Sequence, residues 1–284
     1  MRSELLRDCS TGKHWRESAM KQSSPNSNVP AVIMAGGFGT RLKYLTQLIP
    51  KPMIPVAGRP VLDHVLDQLE RHGILQGVLS LLYLPEVIQE YLGSGRPGAI
   101  QLSHSIAPCD LGNAGGVLLS TRQVSGDPLL VVSGDVLTNI DLTAMISFHL
   151  ESKSAFTVAL TRVADASDFG LVDLDSSGTI RRYTEKPRGH VFSGWVNSGI
   201  YVADRRALNL IPEGAKTDFS HDLIPALLER GLKVSGMKQE GYWFDIGTLT
   251  SLKEAEAYFA AAGPMPVSDK PQEFPSTFAG AIGG

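Results

Sequence analysis

The sequence predicts an α/β fold, a mostly parallel sheet with helices on its faces, and three observations predict it. Through the first half of the chain, apolar runs of strand length alternate with segments whose apolar residues recur at helical spacing. Two of those strands run straight into glycine, Ala31–Ala35 before Gly36-Gly37 and residues 128–133 before Gly134-Asp135. The second half changes to shorter strand-like runs divided by Gly and Ser. With 284 residues, 43% hydrophobic and only 19% charged, the chain can fill a sizeable core and is not of disordered or coiled-coil composition.

In chain order, residues 1–28 end in a polar stretch rich in Ser, Asn and Pro and are expected to form a disordered extension. A folded domain is expected over 29–262. Pro60 suits a helix start, Val61, Leu62, Val65, Leu66 and Leu69 give the helical face, and Gly73 stops it. Residues 77–84 read as a buried strand, 85–93 as a short helix from Pro to Gly, and 100–106 as another strand. Residues 111–124 form a second glycine-bearing turn leading into a helix. Residues 128–141 hold a strong apolar strand that ends on Gly134-Asp135, followed by a helix at 141–152 with Asp141 as its N-cap. Strands are then expected at 154–163, 169–175, 178–186 and 195–204, a helix at 216–231, a returning strand at 232–247, and a closing helix at 248–261 capped by Thr248. Residues 263–284, with four prolines and a Gly-rich end, are expected to be a flexible tail. No hexapeptide repeat of β-helix type shows.

A net charge of −3 gives no broad basic field, so neither nucleic acid nor an anionic membrane is an expected partner. Cys9 and Cys109 form no C-x-x-C pair. No apolar run approaches the roughly 18 residues of a membrane span, and the N-terminus lacks the apolar core of a signal peptide, so a cytoplasmic protein is expected.

Chemistry concentrates at residues 31–60. Glycines let the backbone turn tightly and approach a ligand, and successive turned N–H groups form an anion-binding nest. Arg41 and Lys51 add a flat fork and a point charge for phosphate oxygens. Pro52 is expected to push Lys51 into extended backbone. Neither a P-loop nor a complete dinucleotide fingerprint is present, because Leu42 stands where the last small residue would belong. Asp135 ends an apolar strand, where open α/β sheets bind ligands. His104, His149 and His221 show no metal spacing and read as structural.

The stretch GGFGTRLKYLTQLIPKPMIPVAGRP resembles the signature of the sugar-nucleotide pyrophosphorylases, nucleotidyltransferases that join a sugar 1-phosphate to an NTP. The similarity continues in order through LGNAGG, VVSGDV, FGLVDLD, YTEKP, WVNSGIYV and GYWFDIGT, over roughly residues 30 to 260, and fits the mannose-1-phosphate guanylyltransferase and glucose-1-phosphate nucleotidyltransferase branches. The resemblance implies a Rossmann-like mixed sheet and a reaction that releases pyrophosphate. It implies catalytic roles for Arg41, Lys51, Asp135 and Lys186, and Mg²⁺ on Asp135 and Asp245. It places the nucleotide against Ala35, Gly36, Gly37, Gly39, Thr40, Leu111, Gly112, Asn113, Ala114, Gly115 and Gly134, and the sugar against Gly170, Glu185 and Asn197. The implied partners are an NTP and a sugar 1-phosphate; self-association stays open. Asn113 stands where the guanylyltransferase branch usually has Thr, and the Glu usual a few residues earlier is missing, so thymidylyl or uridylyl transfer, or a non-catalytic regulatory relative, remain alternatives.

Overall fold

The computed structural model describes residues 26–92, 100–187 and 192–262. Strand β1 (Ala31–Met34) leads through the glycine turn and a 3-10 turn, Thr40–Leu42, into a short helix α1 (Lys43–Thr46). A small hairpin of β2 (Pro55–Val56) and β3 (Arg59–Pro60) feeds α2 (Val61–Arg71). Then come β4 (Gln76–Leu81), α3 (Pro85–Leu92), β5 (Gln101–Ile106), α4 (Gly112–Ser120), β6 (Leu129–Ser133), β7 (Val136–Thr138) and α5 (Leu142–Ser152). The second half holds β8 (Phe156–Asp165), β9 (Gly170–Leu174), β10 (Ile180–Glu185), β11 (Phe192–Ala203), α6 (Arg205–Leu208), a wide π-type turn at Phe219–Leu223, α7 (Ile224–Glu229), β12 (Val234–Lys238), β13 (Trp243–Asp245) and α8 (Leu249–Ala262).

The expected α/β architecture holds. The main sheet runs β10-β9-β11-β6-β1-β4-β5, with β8 joined to β11 and β12 to β8. Strands β6, β1, β4 and β5 are parallel, whereas β11 joins β6 antiparallel. Buried strands need cover on both faces, and two apolar layers supply it. On one face Ile33, Leu79 and Leu130 pack with Leu62, Leu66 and Leu69 of α2 and Phe259 of α8. On the other, Val32, Val78 and Val131 pack with Ala114 and Val117 of α4 and Phe219. The alternation of Val32 and Ile33 between layers is the strand's two-residue period.

The sheet places the site. From β1 the chain moves to β4 and β5 on one side, then returns to β6 on the other. The crevice beyond the carboxyl ends of β1 and β6 is thus the switch point where α/β sheets bind ligands. Met34 pairs with Ser133, so Gly36-Gly37 and Gly134-Asp135 emerge side by side.

The strand expected to end on Gly134-Asp135 does so, and β7 then leaves the main sheet and pairs antiparallel with β13. Two local expectations change. The strand read over 232–247 divides, because β12 pairs with β8 and β13 with β7. The folded unit begins before residue 29: Asn26 is buried, and its Nδ2 donates to His72 O and Thr143 Oγ1 at 2.9 and 2.8 Å. Residues 1–25 of the expected extension and the expected tail, 263–284, lie outside the described residues. The expected caps do form. Asp141 accepts from Ala144 N–H at 2.9 Å, and Thr248 Oγ1 accepts from Ser251 N–H at 3.1 Å.

Candidate active site

The glycine turn is built by close packing. Gly39 has φ +62°, and a Cβ there would come within 2.5 Å of Thr46 Cγ2. Thr46 Oγ1 in turn donates to Gly39 O at 2.9 Å, tying the turn to α1. Gly37, by contrast, faces open space. Lys51 opens a 3-10 turn, Lys51–Met53, and extended backbone falls on Pro50 instead. That corrects the expectation drawn from Pro52: the buried Met53 and Ile54 anchor the turn in the core and override the local preference.

The turn brings Lys51 under the crevice. Its Nζ lies 2.5 Å from Asp135 Oδ2 and 2.9 Å from Asp245 Oδ1. Arg41, a far more exposed side chain, reaches Asp245 Oδ2 at 3.5 Å. Burial opposes the charge on Lys51, but the two carboxylates outweigh it and hold its pKa above the ordinary value. Asp245 is delivered by the β7–β13 ladder, in which it pairs with Val136, while Ile246 N–H donates to Asp135 O at 3.0 Å.

Two cavities meet here. One, of about 270 Å³, is lined by Gly36, Gly37, Phe38, Leu82, Asp110, Leu111, Gly112 and Asn113. The other, of about 380 Å³, is lined by Arg41, Lys51, Gly170, Glu185, Lys186, Asn197 and Asp245. Asn113, Ser133 and Asp135 line both. The crevice thus gathers all four expected catalytic residues, both expected metal carboxylates and all three expected sugar residues. Lys186 sits with φ +43°, also not the extended backbone that a following proline favours, and its N–H donates to Phe169 O at 3.2 Å.

Other expected nucleotide residues stand behind the wall. Ala35 is buried and donates its N–H to Ser80 O; Gly134 donates to Met34 O. The N–H groups of Ala114 and Gly115 both go to Thr217 O at 3.0 and 3.2 Å, and a Cβ on Gly115 would meet Ala215 O at 2.8 Å. Gly112 and Gly115 let α4 pack against residues 215–217. Gly39 and Thr40 shape the turn from beside the cavities rather than from their lining.

Sequence reasoning passed over several lining residues, among them Asp110, Tyr183, Asp218, Ser220 and Trp243. Tyr183 was findable: it lies two residues from Glu185 on one strand, hence on the same face. Asp218 also carried a signal. It caps the π-type turn, accepting from Ser220 and His221 N–H at 2.7 and 3.1 Å. Of the histidines, His149 is buried between Thr157 Oγ1 and Asp204 Oδ1, as a structural residue should be, whereas His221 lines the larger cavity.

A glycine turn, two cations and two carboxylates thus gather at the switch point of an α/β sheet. The chain belongs to the nucleotidyl transferase family, whose model matches residues 30–261. It is 34% identical over 221 residues to a mannose-1-phosphate guanylyltransferase of Mycobacterium tuberculosis, covering 78% of this chain and 61% of that protein. It is 32% identical over 239 residues to a UTP–glucose-1-phosphate uridylyltransferase of Synechocystis, covering 79% and 62%. The chain therefore spans about three-fifths of the length of these curated relatives. Among solved structures, HddC from Yersinia pseudotuberculosis complexed with GMP-PN matches with a TM-score of 0.71 at 26% identity, over 81% of this chain and 99% of that one.

Proposed function

We propose that this protein transfers a nucleotidyl group from an NTP to a sugar 1-phosphate, making a nucleotide sugar and releasing pyrophosphate, with GTP and mannose 1-phosphate as the substrates. The observation that carries this reading is the meeting of two cavities at Asp135, with Lys51 beneath them. One cavity has the glycine turn facing Leu111, Gly112 and Asn113, which suits a nucleotide. The other has the polar side chains suited to a sugar. The guanylyltransferase relative supports the choice of base and sugar, within a family that also contains a uridylyltransferase.

In the reaction, a sugar phosphate oxygen forms a bond to the α-phosphorus. The bond to the bridging oxygen of the β-phosphate breaks, and pyrophosphate leaves with the electron pair. The nucleophile is already an anion, so no general base or covalent intermediate is needed. The protein's task is to hold two anions in line and to stabilise developing charge. Arg41 and the N–H groups of the glycine turn take the leaving phosphates. Lys51 and Lys186 screen the incoming phosphate and the α-phosphate.

The residues fit a Mg²⁺ ion. Asp135 Oδ2 and Asp245 Oδ1 already converge on one cationic atom, and two hard carboxylate oxygens plus substrate phosphates make a typical Mg²⁺ set. Bound there, the ion would neutralise phosphate charge. A cytoplasmic location, where NTPs are made available, suits the activity. Among the described residues no helix is long and apolar enough to cross a membrane.

Pyrophosphate release with Mg²⁺ over a grid of sugar 1-phosphates and NTPs tests the reading. Turnover with mannose 1-phosphate and GTP is expected. Turnover confined to glucose 1-phosphate with UTP or dTTP would move the assignment to that branch. Silence across the grid, with nucleotide sugar still bound, would favour a non-catalytic regulator.

A further inference from the structure

We infer that Tyr183 is a positioning residue that aims the Glu185 carboxylate at the sugar, and that Tyr183 with Ser220 thereby sets which sugar 1-phosphate the site accepts. The inference rests on the proposed function and deepens it.

Tyr183 and Glu185 share the cavity-lining face of β10. The Tyr183 hydroxyl stands 3.1 Å from Glu185 Oε2 and 2.7 Å from Ser220 Oγ. Asn197 Nδ2 approaches the same hydroxyl at 3.2 Å. The direction of these bonds follows from one backbone group. Gly199 N–H donates to Asn197 Oδ1 at 2.9 Å, which turns the amide so that Nδ2 faces the hydroxyls of Tyr183 and Tyr201. An amide NH₂ only donates, so the Tyr183 oxygen accepts from it. The phenol then has one proton to give, and an ionised Glu185 can only accept. Ser220 Oγ and Glu185 Oε2 are the two acceptors that share that proton, so the Tyr183 hydroxyl ties both groups into one set. Burial pushes the Tyr183 pKa up, so the phenol keeps its proton at any working pH.

Gly170 gives independent support. It pairs with Glu185 directly across the β9–β10 ladder. A Cβ at Gly170 would run into the Tyr183 hydroxyl and lie 2.8 Å from Glu185 Oε2. Glycine is required there for space, and the space it leaves holds the Tyr183–Glu185 pair. Tyr183 therefore bonds the carboxylate from beside it, and Tyr183, Glu185 and Ser220 all line the cavity that would receive the sugar. A hydroxyl held this way is read as a donor, and a sugar lacking it leaves polar groups unpaired.

The test is steady-state kinetics of the full chain with whichever sugar 1-phosphate and NTP it turns over, for Tyr183→Phe, Ser220→Ala and the unaltered protein. Deoxyfluoro analogues of that sugar 1-phosphate are run alongside. Phe keeps the ring packing, and thermal melting checks the fold. Tyr183→Phe is expected to raise KM for the sugar 1-phosphate about tenfold while leaving KM for the NTP within about twofold. The analogue fluorinated at the hydroxyl read by Glu185 should lose about tenfold against the unaltered protein and little further against Tyr183→Phe, because both remove the same interaction. An unchanged sugar KM in Tyr183→Phe, or equal losses for sugar and NTP, overturns the inference alone. No turnover by the unaltered protein on any pair overturns the functional reading and this inference with it.

Discussion

Lys51 Nζ lies 2.5 Å from Asp135 Oδ2, and the same ammonium holds Asp245 Oδ1 at 2.9 Å. A lysine expected to meet phosphate thus stands, in the free protein, between the two carboxylates expected to hold a metal. Removing it leaves two like charges together and opens the position a cation would take. Lys51→Met is expected to slow pyrophosphate release about 100- to 1,000-fold. Calorimetric titration of the nucleotide-free variant should show tighter Mg²⁺ binding than the unaltered protein, since the competing ammonium is gone. Unchanged Mg²⁺ affinity would mean that Asp135 and Asp245 are not the metal pair.

Arg41 differs from Lys51 in exposure: its side chain is 60% exposed against 10%. An exposed, long ion pair contributes little stability. Arg41→Ala is therefore expected to leave unfolding free energy within about 0.5 kcal/mol while raising KM for the NTP and lowering turnover. Denaturant melts and initial rates check the two halves. A variant that melts early but turns over normally would assign Arg41 to structure.

His64 predicts an acid limit. Its Nε2 donates to Val56 O at 2.9 Å, and its buried Nδ1 has no partner among the described residues. Burial, with nearby Arg59, holds its pKa below the ordinary 6.5. His72 and His104 are shifted the same way by burial. A folded-state pKa below the unfolded one means that the unfolded chain takes the proton first. Stability is then level above about 6.5 and falls as pH drops below it. The melting temperature is expected to decline between about pH 6.5 and 5.5, and His64→Gln, which keeps a donor for Val56 O, to flatten part of that decline. A flat profile in the unaltered protein would contradict the burial argument.

Asn113 joins the two halves of the crevice. Its Nδ2 donates to Asp218 Oδ2 at 2.5 Å and its Oδ1 accepts from Phe219 N–H at 2.8 Å. Threonine, with one hydroxyl on a shorter arm, cannot make both bonds. Asn113→Thr is expected to cost about 1 kcal/mol of stability and to raise KM for nucleotide and sugar together. An effect on the nucleotide alone would show that the residue reads the base without tethering the turn at Phe219–Leu223.

Much of the site was legible because its signals are local. A strand running into glycine, Arg41 directly after the turn, and Asp135 at a strand end all sit within a few residues of the backbone feature that gives them meaning. Other readings failed where a distant segment claimed the same atoms. Ala114 and Gly115, which the resemblance places against the nucleotide, give their N–H groups to Thr217 O. Lys51 followed its anchoring core residues rather than the proline beside it, and the role of Tyr183 became visible only with Ser220 and Asn197 around its hydroxyl.

The sequence by itself determined the alternation of strands and helices and the turn at Gly36–Gly39, because periodicity and steric freedom act over a few residues, while the family showed through the resemblance of its motifs. Only the tertiary structure decided which charges meet. Asp245 reaches Asp135 because β13 pairs with β7, in a register that no local pattern encodes. The partner of a charge is set by which backbone ladders bring it near, and those form between segments far apart in the chain.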